Sequence, residues 1–535
     1  MTTMMKKAAA ALLCLSMSAA VFTGCGNSTN SSETEAKKNS ASEKTQLLVG
    51  TELTSNTLDP ADEWNSWFVM RWGVLETLTR FADDGTIEPW LASDWTVSED
   101  KLTWTFTLKD GLTFSDGCKV TASAVVSSLE RLFDECDPEK GGNGNAQSYF
   151  KYTEIKADDK AGTVSITTDG VVVDLPGCLA YPWYGVVDTE HTEDYDNDPV
   201  CTGPYVIVSN DPDHDIQLKR NDNYWDGEVP FDTVSILVMA EASTRAMALQ
   251  DGSVDMALSI SSADRNLLEE QGGYLVDVTS GNRMGTAFIN FDGVLGNDAL
   301  RTAVFMAIDG QTICDVTTNG SYTYTNNAPL PSNYDYGYDS LDFKYGYDPE
   351  KAKSLLDEAG IVDTDGDGYR ELDGTMIDLR YVGSTSRQQD VIAQAQAAQL
   401  DEIGIKCTVT FPENANDQRV NQEFDLLYNN EVSMPTGDPA NYLLHWYKNV
   451  KDTTINYGNY QNEAFDAEYE KLAGETDMEK RKEIFKNLQQ IMIDDVASIC
   501  YGSYNFNICA TSAVEGVHSY TCDYYWVTKD IKPAK

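Results

Sequence analysis

Two short runs of alternating apolar residues, Ile377, Leu379 and Tyr381 and then Ile405, Cys407, Val409 and Phe411, flank a stretch near Arg387 to Ile403 that reads as a helix. A period of two marks a strand, and two strands joined through a helix form a βαβ unit with a parallel pair. Parallel strands are buried on both faces and need helices to cover them. The chain is therefore expected to be α/β, and all-helical and all-strand architectures fall away at once.

The flanking segments agree. Leu102, Trp104, Phe106 and Leu108 alternate with Thr103, Thr105 and Thr107 as a half-buried antiparallel strand. Turns at Asp110-Gly111 and Asp116-Gly117 follow, and Thr121 is placed to cap a helix whose apolar face is Val125, Val126, Leu129, Leu132 and Phe133. Asp348-Pro349 opens another helix, burying Ala352, Leu355, Leu356 and Ala359 and stopping at Gly360. A later helix turns Ile484, Phe485, Leu488, Ile491 and Met492 inward, ahead of a strand from Ile499 to Ile508. No internal repeat appears, and 535 residues with 41% hydrophobic content can bury more than one core, so two or three lobes are expected.

The 86 acidic against 39 basic side chains exclude nucleic acid as a partner, because phosphate backbones are held by lysine and arginine. At the N-terminus, Lys6 and Lys7 precede an apolar run from Ala8 to Val21 and then Phe22, Thr23, Gly24 and Cys25, the grammar of a signal peptide over residues 1–24. The segment resembles a bacterial lipobox, which implies that Cys25 is lipidated and anchors the protein on the outer face of the cell membrane. Residues 25–45 read as a disordered tether, since Asn27 to Thr45 holds only Ala36 and Ala41 as apolar members. Such a coil reaches on the order of 25 Å. No later stretch has the length and apolarity of a spanning helix. Nine cysteines remain beyond Cys25, with no C-x-x-C, and Cys178 with Cys201 or Cys500 with Cys509 are candidate disulfides.

Enzyme signatures are missing. There is no Gly-x-Ser-x-Gly, no H-E-x-x-H, and the four histidines, His191, His214, His445 and His518, stand apart in sequence and read as surface or packing residues. Asp363, Asp365, Asp367 and Gly368 reproduce the opening of a calcium loop, with Glu371 at its ninth position, but Gly374 stands where the closing glutamate belongs. A weak structural calcium site and a plain acidic turn are both open there, with the turn favoured, and no other cofactor is expected.

Residues Gly73 to Arg80, Pro89-Trp90-Leu91-Ala92, Trp104 to Phe114 with Ser115-Asp116-Gly117, Thr202-Gly203-Pro204-Tyr205, Tyr224-Trp225-Asp226-Gly227, Gly252-Ser253-Val254-Asp255 and Ala307-Ile308-Asp309 together resemble the extracellular solute-binding proteins of family 5. That family includes the oligopeptide-, dipeptide- and nickel-binding components of ABC importers. The resemblance implies a bilobed periplasmic-binding-protein-like fold of type II, in the large family-5 form with an extra subdomain. Lobe I would take residues 46–80, 201–289 and 506–535, the extra subdomain 81–200 and lobe II 290–505, with crossovers near Phe288 to Phe291 and Tyr501 to Phe506. It further implies a monomer that closes on a peptide or peptide-like solute and delivers it to a membrane permease. A non-peptide solute, carboxylated or sugar-like, and a ligand-sensing lipoprotein are the alternatives, and a hydrolase is the competing class.

Peptide-binding members carry an aspartate for the ligand ammonium between a Phe-Asp and an Asp-Pro. Here Phe424-Asp425 and Asp438-Pro439 are present, but the aspartate's position falls on Met434 or Pro435. Glu431 and Asp438 are the expected substitutes, although Asp438 also suits a helix cap. Arg387 stands where dipeptide-binding relatives place an arginine for the ligand carboxylate. Trp64, Trp67, Trp446, Tyr447, Tyr457 and Tyr460 are candidate aromatic walls, with Trp446 and Tyr457 preferred because they follow the Asp-Pro loop.

Overall fold

The computed structural model describes residues 44–52, 54–62, 64–448 and 455–535. The expected signal peptide, Cys25 and nearly all of the expected tether lie outside the described residues. The last two tether positions are already held by the folded body: Lys44 Nζ lies 2.8 Å from an Asp255 carboxylate oxygen, and the Thr45 carbonyl accepts from the Asp232 amide at 2.7 Å.

Among the described residues, eleven strands form one mixed sheet. In chain order they are β1 (Gln46–Thr51), β2 (Tyr205–Asp211), β3 (Asp215–Arg220), β4 (Thr233–Val238), β5 (Met256–Leu258), β6 (Tyr274–Ile289), β7 (Tyr322–Tyr324), β8 (Asp378–Val382), β9 (Lys406–Thr410), β10 (Leu426–Val432) and β11 (Ser498–Thr511). Across the sheet the order is β9-β8-β10-β6-β11-β5-β1-β4-β3-β2, with β7 also on β11. Helices α1 (Asn65–Arg71), α2 (Ala122–Glu135), α3 (Pro349–Glu358), α4 (Gln389–Asp401) and α5 (Met478–Asp494) interleave with the strands along the chain. The βαβ unit is present: β8 and β9 pair in parallel from Asp378 opposite Lys406 to Val382 opposite Thr410, and α4 connects them.

The two long strands organise the rest. The first part of β6, Tyr274 to Ser280, pairs with Asn505 to Thr511 of β11, and its second part, Met284 to Phe288, pairs with Ser498 to Ser503, with a register shift between Ser280 and Met284. Hydrophobic burial changes hands at the same place. One core runs from Leu47 to Ile531 and includes Val49, Trp72, Phe106 and Ile236, whereas two others draw their buried residues only from between Met284 and Tyr501. Phe288 is inside one of the latter, whereas Tyr274 and Val276 at the start of β6 pack against a fourth core that includes Ala246, Leu249 and Cys509.

A second, antiparallel sheet orders Ala92–Val97, Thr103–Leu108, Thr163–Thr168 and Tyr152–Asp158, and α2 packs on it. Its apolar side, Trp104, Phe106, Val164 and Ile166, joins the first core. Thr121 caps α2 by accepting from the Ala124 amide at 3.1 Å. Thr121→Ala is expected to lower stability by about 1 kcal/mol in chemical denaturation. Asp348 caps α3 in the same way, with Ala352 and Leu356 buried, but Ala359 is exposed because it is already the C-cap, ahead of Gly360 at φ +73°.

All nine described cysteines are free thiols. Cys500 and Cys509 cannot pair, because both lie on β11, and nine residues of strand separate them by about 30 Å.

Candidate functional site

Helix α1 presents Trp67, Phe68 and Arg71 to a cavity of about 490 Å³. Arg71 is in the last turn, where the helix dipole favours a cation. Its Nε donates to the Asp523 carbonyl at 2.7 Å, its guanidinium pairs with the Asp523 carboxylate, and it lies over the ring of Trp526 at 4.4 Å and of Trp67 at 5.1 Å. Trp64 starts the helix and is 54% exposed, packing edge-on against Trp67 at 5.5 Å and tilted against Trp183 at 5.7 Å. Tyr149 and Tyr181, 5.1 Å apart, complete an aromatic wall.

Two more arginines face the same space. Arg283 comes from β6 within the register shift; its Nη1 donates to the Asn430 carbonyl at 2.8 Å, and its buried Nε has no hydrogen-bond partner among the described residues. Arg387 sits between β8 and α4, and it and Gln388 both adopt left-handed backbone, at φ +50° and +59°. Non-glycine residues rarely accept that geometry, and it is held here by Tyr322, whose hydroxyl donates to the Arg387 carbonyl at 2.9 Å. The Arg387 guanidinium lies 5.8 Å from the centre of the Tyr504 ring and has no ion pair among the described residues. Burial lowers the Arg71 pKa, with Asp523 opposing and Arg387 adding to the effect. Burial, then the charge of Arg387, pushes Arg283 down to about 10. The three cations therefore repel one another across a partly desolvated space, an arrangement that an incoming anion relieves.

The opposite wall is Glu431, Val432, Pro435 and His445. His445 Nε2 lies 2.9 Å from Glu431 Oε2, and its Nδ1 donates to the Ile455 carbonyl at 2.7 Å, so both ring nitrogens are donors and the ring is an imidazolium. Tyr457 donates its hydroxyl to Glu431 Oε1 at 2.9 Å and stacks on His445 at 4.3 Å. Burial alone would raise the Glu431 carboxyl, but His445 outweighs it and holds the carboxyl below its usual range. Burial would likewise lower His445, and Glu431 outweighs that, leaving the imidazolium above its ordinary value of 6.5. The stability that His445 gains is full below pH 6.5 and is lost as pH rises through its raised pKa; that of Glu431 is present above 4.5 and lost as pH falls through its lowered one. Denaturation across pH 4 to 9 is expected to show a decline above about pH 6.5 that His445→Gln removes.

Of the expected site residues, Trp64, Trp67, Arg387 and Glu431 meet at this cavity, and Tyr457 supports Glu431 from behind. Two do not. Trp446 is 2% exposed, stacks on Phe288 at 4.8 Å and donates Nε1 to the Ala497 carbonyl, so it is core packing. Asp438 pairs with Arg481 at 2.7 Å and accepts from the Ala440 amide at 2.8 Å, so its charge is spent within the protein, one residue ahead of the helix N-cap Pro439. Tyr460 is core, and Tyr447 stacks on Tyr469. Met434, one of the two positions left without an aspartate, is buried in the core, and the other, Pro435, is cavity wall. Arg71, Arg283 and His445 were not expected here. Asp363, Asp365 and Glu371 each bring one oxygen within 4.8 Å of the others, with Asp367 outside that group, and Asp363 is occupied by the Gly366 and Gly368 amides at 2.6 and 2.9 Å.

Residues 86–454 match the family described as bacterial extracellular solute-binding proteins, family 5, middle region. Over 513 residues the chain is 28% identical to Heme-binding protein A of Haemophilus influenzae, covering 90% of this chain and 91% of that one. It is 26% identical over 494 residues to a probable D,D-dipeptide-binding periplasmic protein of Escherichia coli, covering 88% and 91%. The crystal structure of NikA from Brucella suis in complex with Fe(III)-EDTA superposes with a TM-score of 0.81 at 21% identity, over 91% of this chain and 99% of that one.

Proposed function

Since the chain belongs to the bacterial extracellular solute-binding proteins of family 5, with their bilobed type II fold, we propose that it captures a peptide or peptide-like solute through a carboxylate and passes it to an ABC permease. The observation that carries this reading is Arg71, Arg283 and Arg387 around one cavity, in a chain whose formal charge is −47. A cationic cluster is the reverse of what the surrounding acidity would draw in, and among the described residues only Asp523 pairs with one of the three. Glu431 faces them with its charge shared by His445, which suits a ligand ammonium at the other end. A volume of about 490 Å³ fits a short peptide. The similarity to the Escherichia coli relative named as a probable D,D-dipeptide-binding periplasmic protein supports the choice. Export, cleavage before Cys25 and lipid anchoring there belong to the same reading, supported by the N-terminal sequence. So does action as a monomer that binds without catalysing.

A thermal-shift screen of ligand-stripped protein tests it, because binding to the native state must raise Tm. Di- to tetrapeptides are expected to raise Tm, C-terminal amidation is expected to abolish the shift, and N-acetylation to reduce it. A shift with amidated peptides equal to that with free acids would overturn the carboxylate reading.

A further inference from the structure

We propose that Asp116, Cys118 and His191, with Asp188 orienting the imidazole, form a site for a divalent cation of zinc type, remote in residues from the solute cavity. Their ligand atoms, one from each of the four side chains, all lie within 4.8 Å of one another. His191 Nδ1 is 2.9 Å from the buried Asp188 carboxylate, which is 5% exposed. That contact fixes the tautomer with the proton on Nδ1 and leaves the lone pair of Nε2 free, the way a carboxylate prepares a metal-binding histidine. Nε2 in turn lies 4.0 Å from Cys118 Sγ. Zinc–sulfur and zinc–nitrogen bonds meeting at a tetrahedral angle separate those atoms by roughly 3.6 Å. Asp116 Oδ2 is 3.7 Å from Nδ1, on the other side of the same ring, and supplies the oxygen ligand once its side chain rotates toward Cys118. Solvent would complete the shell.

The backbone is already fixed, so only side-chain rotation is needed. Asp116 and Cys118 share a turn in which Gly117, at φ +89°, donates to the Phe114 carbonyl and Phe114 donates to the Cys118 carbonyl at 2.8 Å. Asp188 Oδ1 accepts from the Glu190 and His191 amides at 2.9 and 3.2 Å. Cys201 ties the two segments together, bridging to Val187 and accepting from the Ser115 amide at 2.8 Å. The carboxylates facing Cys118 and His191, Asp116 and Asp188, are both negative and favour a cation between them. On binding a divalent cation the thiol gives its proton to solvent and ligates as thiolate.

The test uses the whole purified chain. Equilibrium dialysis is expected to show one equivalent of Zn2+, and Co2+ in its place a thiolate-to-metal charge-transfer band. Cys118→Ser is expected to remove the band, and both it and His191→Ala to weaken Zn2+ at least tenfold, with His214→Ala, an exposed histidine elsewhere, unchanged. In the unaltered protein Zn2+ is expected to slow alkylation of Cys118, read by peptide mass, and not that of Cys407. Lack of stoichiometric uptake, uptake that survives Cys118→Ser, or alkylation of Cys118 indifferent to Zn2+ would each overturn the proposal.

Discussion

Arg387→Ala is expected to weaken capture of a carboxylate-bearing peptide by about 30- to 1000-fold, since truncating one partner of a desolvated charge pair costs about 2–4 kcal/mol. The melting point of the ligand-free protein is expected not to fall, and to rise slightly as repulsion from Arg71 and Arg283 is relieved. The two results go together because the Arg387 guanidinium has no acidic partner among the described residues and lies beside the Tyr504 ring. Nothing charged is stranded when it leaves. Arg71 is the contrast: it holds the Asp523 carboxylate and backbone, so Arg71→Ala lowers stability and binding together. Titration calorimetry with the best peptide from the screen, alongside melting of the apo variants, separates the two. An Arg387→Ala protein that binds as before would place the ligand carboxylate elsewhere.

Arg481→Ala is expected to be among the most damaging single changes to stability, at about 3–5 kcal/mol, because it strands a buried carboxylate. Arg481 and Asp438 are 4% and 12% exposed, meet at 2.7 Å, and the same guanidinium also donates to the Leu472 and Glu475 carbonyls at 3.0 and 3.1 Å. Urea unfolding followed by tryptophan fluorescence reads this, with Trp446 in the adjoining core. Replacing both partners with methionine is expected to recover much of the loss, since the cost lies in the unpaired charge. Equal loss in single and double variants would show that the carbonyl contacts matter more than the pair.

Locally periodic features were legible in the sequence. The βαβ unit, the capped α2 and α3 and the apolar face of α5 all follow from spacing over a dozen residues, and each is present. The cavity is different in kind, because residues 71, 149, 181, 283, 387, 431 and 445 meet there from separate elements, and no window of sequence holds two of its arginines. A signal for Arg283 did exist: it is the one basic residue of β6, set beside Met284 and ahead of Ala287, Phe288 and Ile289. Arg71 was hidden by its place beside the Gly73 to Arg80 block, where conformity to a family pattern reads as scaffold. Trp446 and Asp438 failed for the opposite reason, since proximity to a loop in sequence does not say which way a side chain turns.

The division of the cores also dictates an order of assembly during synthesis. The cores drawn from Met284 to Tyr501 have all their buried members once that stretch has emerged, whereas the core that begins with Leu47 waits for Tyr524, Val527 and Ile531, which follow it. The residues from Leu47 to Phe231 therefore lack part of their core until the stretch that holds the other two has emerged. Removal of Tyr524, Val527 and Ile531 would leave the earlier-made side of this core without its closing contacts.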